Sequence, residues 1–152
     1  MKKTNYWLIA LMVVLAQIIV LGTPIFIFRT LFPPEIKMEK CQKYLDRYQE
    51  DYTAIAEWIL QNREDSGGSI RLRPEDVRYY PGGIAKAAER IYKKCKWQSI
   101  CSQQNAVYFQ LWSNRKYGRG VLYCTNINAL NNELLVEIQP LSQPFWYFYI
   151  EE

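Results

Sequence analysis

An uncharged run near the N-terminus constrains this chain more than any other feature of its sequence. Residues 4–28 contain no charged side chain and lie between Lys3 and Arg29. As a helix, a run of this length reaches about 37 Å, which exceeds the hydrocarbon core of a bilayer, about 30 Å thick. Tyr6 and Trp7 stand at the start of the run, where aromatic rings favour the headgroup level. The sequence therefore predicts a transmembrane signal-anchor, with residues 1–31 forming a short cytoplasmic stub and the spanning helix.

Two alternatives to an anchor are a cleaved signal peptide and a buried helix of a soluble protein. A cleaved signal peptide also combines N-terminal lysines with an apolar core. Cleavage after Ala16 or Gly22 would leave the apolar residues 25–28 exposed at the mature N-terminus, so the anchor is favoured. A buried helix of a soluble protein would be unusual at this length without a charge.

The orientation of the anchor follows from the basic residues that flank it. Lys2 and Lys3 favour a cytoplasmic N-terminus. The basic residues after the run argue the opposite way: Arg29, Lys37, Lys40 and Lys43. Because a large C-terminal domain can be translocated whatever its charge, we expect an N-in, C-out protein of the plasma (inner) membrane.

The charge of the remaining chain argues against nucleic acid as a partner. Residues 29–152 carry 17 basic and 15 acidic side chains, a net charge of +2. Nucleic-acid-binding domains are strongly basic or carry a basic stripe. The membrane and an unidentified protein are the predicted partners.

Periodicity predicts two helices in residues 32–152, the predicted soluble domain. A stripe with spacings of three and four predicts a long helix over residues 35–62. Its members are Cys41, Leu45, Tyr48, Tyr52, Ile55 and Ile59. A second, short helix is predicted over residues 84–95, and residues 70–72 read as a short edge strand.

The last third of the chain changes to the alternation that is typical of strands. Four strands are predicted, over residues 107–112, 121–125, 134–139 and 145–150. The predicted fold class is therefore α+β: an N-terminal transmembrane helix, then a long and a short helix packed on a four-stranded antiparallel sheet.

This order of elements resembles the layout of type IV pilins, in which a hydrophobic N-terminal helix precedes an antiparallel sheet. The resemblance implies a pilin-like assembly subunit as one alternative function. It is confined to layout, because the uncharged run contains no glutamate and Phe32, Pro33 and Pro34 interrupt the expected continuous helix.

The four cysteines are candidates for disulfide bonds. Cys95 and Cys101 are six residues apart, and Cys41 and Cys124 could meet between helix and sheet. No two cysteines form a CxxC pair, so a metal site is not predicted. The alternative is four small buried side chains in a reducing compartment.

The composition offers little support for catalysis. The chain has no histidine, so serine or cysteine nucleophiles lack their commonest base. Paired carboxylates are the one catalytic arrangement left, and no cofactor is predicted.

Two regions are candidate interaction surfaces. Trp146 and Phe148 belong to the aromatic run at residues 144–150, which reads by default as a core strand and, at a sheet edge, as a partner surface. A loop between two predicted strands contributes Arg115, Lys116, Tyr117 and Arg119.

The predicted function is a non-enzymatic binding or accessory module that is anchored in the cell envelope. Three alternatives stay open at this stage: an envelope immunity or inhibitor protein, a small carboxylate-dependent envelope hydrolase, and the pilin-like assembly subunit.

Overall fold

The computed structural model of the chain describes residues 11–14, 16–17, 35–63, 69–130 and 133–152. The chain divides into two units, Met1–Glu35 and Ile36–Glu152. In the first unit, residues 11–14 and 16–17 are helical, and the rest of the predicted anchor at residues 4–28 lies outside the described residues. A search of the described residues found no helix with the length and apolar character needed to cross a membrane.

The second unit contains two α-helices and six strands in its described residues. Its helices are α1 (Met38–Arg63) and α2 (Gly82–Cys95), with short 3-10 helices at Pro74–Tyr79 and Ile127–Ala129. Its strands are β1 (Arg71–Leu72), β2 (Ser99–Gln103), β3 (Ala106–Ser113), β4 (Gly118–Cys124), β5 (Leu135–Pro140) and β6 (Trp146–Glu151).

The strands form one antiparallel sheet with the order β1-β2-β3-β4-β6-β5. A mixed helix and sheet fold is thus confirmed, but the predicted number of four strands is wrong, because the sheet has six. The short edge strand expected at residues 70–72 is present as β1. The strand that the sequence analysis missed is β2, whose residues Ser99–Gln103 are mostly polar and lack the β-branched alternation that signals a strand.

The predicted stripe of the long helix is confirmed except at one position. Cys41, Leu45, Tyr52, Ile55 and Ile59 are buried against the sheet. The sixth member, Tyr48, is half-buried and has non-helical dihedral angles (φ −128°, ψ 27°), so the helix bends there. Beyond the bend, the stripe continues over the same layer of the core.

The sheet has a buried cluster on each face. The larger cluster lies between the sheet and the two helices and includes Phe109, Val121 and Trp146. The smaller one, on the opposite face, contains Ala106, Tyr108, Leu122, Cys124 and Tyr149. The segment that connects β4 to β5 packs against this second cluster through two half-buried side chains, Ile127 and Leu130.

The strand richest in aromatic residues, β6, is internal to the sheet. It pairs with β4 on one side and with β5 on the other, although β5 precedes it in the chain. Trp146 is 2% exposed. Its ring centroid lies 4.9 Å from that of Tyr123, 5.7 Å from Phe109 and 5.8 Å from Tyr52. This aromatic group therefore joins α1 to three adjacent strands.

We expect Trp146→Ala to lower the free energy of unfolding by about 3–5 kcal/mol, because it removes a large side chain from a packed core. Phe145→Ala is the matched control, since Phe145 is the residue next to Trp146 and its own side chain is 47% exposed. Urea denaturation of both variants measures the difference. Equal losses would contradict the central role of Trp146 in the core.

Candidate functional site

The free long edge of the sheet is the outer side of β5. Within the described residues, β5 pairs with β6 alone. Val136 is 59% exposed and Leu134, just before the strand, is 55% exposed. A shift in register between Leu135 and Glu137 leaves Val136 without a partner residue in β6. Exposed aliphatic side chains beside a free strand edge are unusual in a monomeric sheet, which natural proteins protect against pairing.

The ladder between β5 and β6 shows which backbone groups point outward. The N–H of Leu141 donates to the carbonyl of Trp146 at 2.9 Å. Gln139 and Glu137 stand opposite Phe148 and Ile150 in the same register. Because hydrogen-bonded positions alternate along an antiparallel ladder, the backbone groups of Ile138 and Pro140 face away from β6. Pro140 has no N–H, so Ile138 is the outward donor in the regular part of the β5 ladder.

The opposite edge of the sheet is closed. Strand β1 has two residues, and Pro74 follows it closely. The hydroxyl of Tyr80 donates to the carbonyl of Arg71 at 3.2 Å. The ring of Tyr80 is held edge-to-face against Trp58, with centroids 5.3 Å apart. The two edges of the sheet therefore differ: β1 is short and capped by a side chain, whereas the outer side of β5 is unpaired in the part of the chain that the structure describes.

The outer part of β5 carries acidic and amide groups on the helical side of the sheet. Glu137 and Gln139 stand opposite Ile150 and Phe148, whose side chains belong to or pack on the larger cluster. The amide of Gln139 donates to the carboxylate of Glu137. Ile138 lies on the other face, opposite Tyr149. The edge is thus apolar on one face and polar on the other.

The two predicted aromatic surface residues are in the core. Trp146 and Phe148 both face the helices and are buried in the larger cluster. They are inaccessible because β6 is internal to the sheet, which matches the core-strand alternative of the sequence analysis and not a partner surface. The strand at this edge of the sheet is β5, which has fewer aromatic residues than β6.

The predicted basic loop lies at the end of the β3–β4 hairpin. Arg115 and Lys116 are exposed, and Tyr117 is half-buried. Lys116 is 3.1 Å from a carboxylate oxygen of Glu152 and lies over the ring of Tyr117. The guanidinium of Arg119 lies 5.6 Å from the ring centroid of Trp112. Lys116 and Tyr117 therefore contact each other at this end of the sheet, whereas Arg119 lies in β4 against Trp112.

All four cysteines lie in the described part of the chain, and all are free thiols. Cys41 and Cys95 belong to the cluster under the helices, whereas Cys101 and Cys124 contribute to the cluster on the other face. The sheet therefore separates both predicted pairs, Cys95 with Cys101 and Cys41 with Cys124. Burial raises the pKa of Cys41 to about 12, so this thiol stays protonated and is a poor nucleophile.

A chain of polar side chains crosses the face opposite the helices. Ser99 Oγ donates to Gln110 Oε1 at 3.1 Å, and Gln110 Nε2 donates to Glu151 Oε1 at 3.1 Å. Gln110 and Glu151 lie over Gly118, where a Cβ atom would stand 2.5 Å from Glu151 Oε1. Burial raises the pKa of Glu151, and Gln110 and Arg71 partly oppose this shift.

Tyr149 adds a buried hydroxyl group to the same face. Its ring packs edge-to-face on Tyr108 with centroids 5.3 Å apart, and its hydroxyl oxygen is buried without a hydrogen-bond partner. Burial raises the pKa of Tyr149 well above its ordinary value, so the hydroxyl is neutral. A second buried tyrosine, Tyr52, donates its hydroxyl hydrogen to Cys95 Sγ at 3.4 Å.

These two tyrosines give a matched test of the polar groups. We expect Tyr149→Phe to raise the free energy of unfolding by about 1–3 kcal/mol, because it removes a buried hydroxyl without a partner. Tyr52→Phe removes a hydrogen-bonded hydroxyl and should lower stability by roughly 1 kcal/mol. Thermal and urea denaturation compare them, and a loss of stability in Tyr149→Phe would refute the assignment of an unpaired hydroxyl.

Glu151 generates a pH-dependent prediction. Its pKa in the folded protein lies above the ordinary 4.5, so the charged form opposes folding. We expect Glu151→Gln to be more stable than the parent at pH 7. The difference should narrow as the pH falls through the raised pKa and disappear below 4.5, where the parent is protonated in both states. Denaturation at several pH values measures this, with Glu89→Gln on the exposed face of α2 as a control for net charge.

The bend of α1 forms a polar cavity of about 510 Å³ lined by Asp46, Arg47, Tyr48, Gln49, Glu50, Asp51 and Arg90. Arg90 Nε donates to Asp51 at 2.9 Å, which ties α2 to α1. Asp46 accepts from Gln42 at 2.7 Å and from Gln143 at 2.6 Å, which ties α1 to the β5–β6 connection. Two of the three carboxylates that line the cavity, those of Asp46 and Asp51, therefore hold elements of the fold together.

Among the described residues, no group of three or more cysteine, aspartate or glutamate side chains is arranged to hold a metal ion. The chain matches no protein family, no curated protein and no solved structure. The geometry of the sheet and its edges is therefore the basis for any functional argument.

Proposed function

We propose that this chain is a membrane-anchored, non-enzymatic binding module of the cell envelope, which engages a protein partner by strand addition at β5. The observation that carries the proposal is the open edge of β5, with outward backbone groups and an exposed aliphatic side chain at Val136. In strand addition, main-chain hydrogen bonds supply affinity and alternate side chains supply specificity.

The chemistry of the edge supports this mode of binding. The outward N–H and carbonyl of Ile138 provide a donor and an acceptor for an added strand, and the outward carbonyl of Pro140 provides a second acceptor. The face around Ile138 is apolar and the face around Glu137 is polar. A partner strand whose side chains alternate between apolar and polar could therefore contact both faces. The closed β1 edge leaves β5 as the favoured site for such a strand.

The carboxylates favour binding over the alternative of a hydrolase. Asp46 and Asp51 line the cavity at the bend of α1, but each already accepts hydrogen bonds that hold the fold together. The half-buried Glu151 accepts from Gln110. A general acid–base pair needs two carboxyl groups free to exchange protons with a substrate.

The uncharged run at residues 4–28 supports the membrane part of the proposal. An anchor confines the module to a surface and raises its effective concentration toward a partner at the same membrane. Even a short strand pairing, which is weak in dilute solution, can then be populated.

We expect a photo-crosslinking amino acid at position 136 of the full-length chain to yield protein adducts in living cells. The control carries the same probe at Tyr79, which is 72% exposed near the opposite end of the sheet. Ile138→Lys should abolish the adducts, because it places a charge beside the outward backbone groups. Gln139→Lys adds the same charge at a position whose backbone faces β6 and should retain most of them.

Two results would contradict the proposal. Adducts from position 79 but not from position 136 would place the binding surface elsewhere. Recovery of the chain from the soluble fraction after cell lysis would remove the membrane anchor from the proposed function.

A further inference from the structure

We propose that the strand added at β5 is β5 of a second copy of this chain, in an antiparallel pair centred on Ile138. This inference rests on the proposed strand addition at the same edge and names its occupant. Such a pair joins two six-stranded sheets into one continuous sheet of twelve strands around a twofold axis.

The order of side chains along β5 matches itself in this register. With Ile138 opposite Ile138 of the second copy, Val136 stands opposite Pro140 and Glu137 stands opposite Gln139. Aliphatic side chains therefore meet aliphatic ones, and each carboxylate meets an amide that can donate to it. The same contact already forms within one chain, where the amide of Gln139 donates to Glu137.

A register centred on Glu137, in which one strand slides by two residues, loses this complementarity. Centring the pair on Glu137 places two carboxylates directly opposite each other, which destabilises a cross-strand pair. Charge complementarity therefore selects the register centred on Ile138.

The backbone groups fit the pair centred on Ile138. The outward N–H and carbonyl of Ile138 exchange two hydrogen bonds with the same groups of the second copy. Pro140 supplies no donor, and the irregularity at Val136 interrupts the ladder, so the paired segment ends at these two residues.

The closed edge at β1 explains why the assembly would stop at two copies. Growth in one direction would require β5 of one copy to pair with β1 of the next. Strand β1 offers two residues, and the outward carbonyl of Arg71 is already bonded to the hydroxyl of Tyr80. Pairing of β5 with β5 consumes both open edges and closes the assembly.

The symmetry of the pair suits two tethered chains. A twofold axis perpendicular to the sheet leaves the helices of both copies on the same side. Each second unit starts at Ile36, which is buried in the cluster under those helices. Both chains therefore enter their sheets from the same side.

The small contact predicts a weak dimer. Two paired segments of five residues bury less than the roughly 1,200 Å² of a stable interface. We therefore expect the dimer to depend on the local concentration that a membrane provides, and the test is made on the full-length chain in living cells.

The experiment uses single cysteine substitutions on the edge and mild oxidation with copper–phenanthroline. Ile138→Cys should form a disulfide with itself, because directly opposed hydrogen-bonded residues have Cα atoms about 5.5 Å apart, within the range of a disulfide. Gln139→Cys should not, because residue 139 stands opposite residue 137. Cells that express tagged Glu137→Cys and Gln139→Cys chains together should form the mixed disulfide. The parent chain, whose own thiols are mostly buried, measures the background.

Each outcome decides the proposal. Self-crosslinking of Ile138→Cys together with the mixed disulfide, above the parent background, supports the pair and its register. Self-crosslinking of Glu137→Cys or Gln139→Cys overturns the register. Failure of Ile138→Cys to crosslink overturns the dimer. If adducts from position 136 then map to another protein, strand addition stands with a different occupant; if position 136 yields no adducts, strand addition fails as well.

Discussion

The position of β6 inside the sheet is the constraint on which the rest of this structure depends. The strand carries bulky side chains on both faces, so both faces must be covered. Trp146 and Phe148 fill the core under the helices, and Tyr149 fills the cluster on the other face. Such a strand is most stable between two others. Its insertion beside β4 displaces the preceding strand, β5, to the edge.

The displacement of β5 determines which strand lies at this edge of the sheet. In a meander, where each strand pairs with the next in sequence, β6 would lie at the edge of the sheet and its aromatic residues would be more exposed. The observed order exposes instead a strand with one aliphatic residue out of register and a proline at its end. The protein thus hides its largest apolar side chains and presents a short, partly protected edge, which suits a limited and specific pairing better than open-ended aggregation.

The sheet also separates the thiols and the buried polar side chains of the chain into two groups, one on each face. Two thiols lie on each side of it, so Cys95 and Cys101 are on opposite faces although they are close in sequence. Tyr52 and Cys95 form a buried contact under the helices, while Ser99, Gln110 and Glu151 form a chain on the opposite face. Asp46 and Asp51 join elements of the fold through their hydrogen bonds to Gln143 and Arg90.

The sequence by itself determined the local structure of this protein. The stripe from Cys41 to Ile59 specified the long helix, and the alternation in the last third specified four of the six strands, because these periods follow from backbone geometry. The polar strand β2 was not predicted from the sequence, since serine and cysteine are part of a strand there only because β3 and β1 flank it. Only the tertiary structure decided which strand is internal, which edge is open and which thiols share a face. Strand order depends on long-range pairing energies that leave no local pattern in the sequence, so the burial of Trp146 and the exposure of Val136 follow from the assembled sheet.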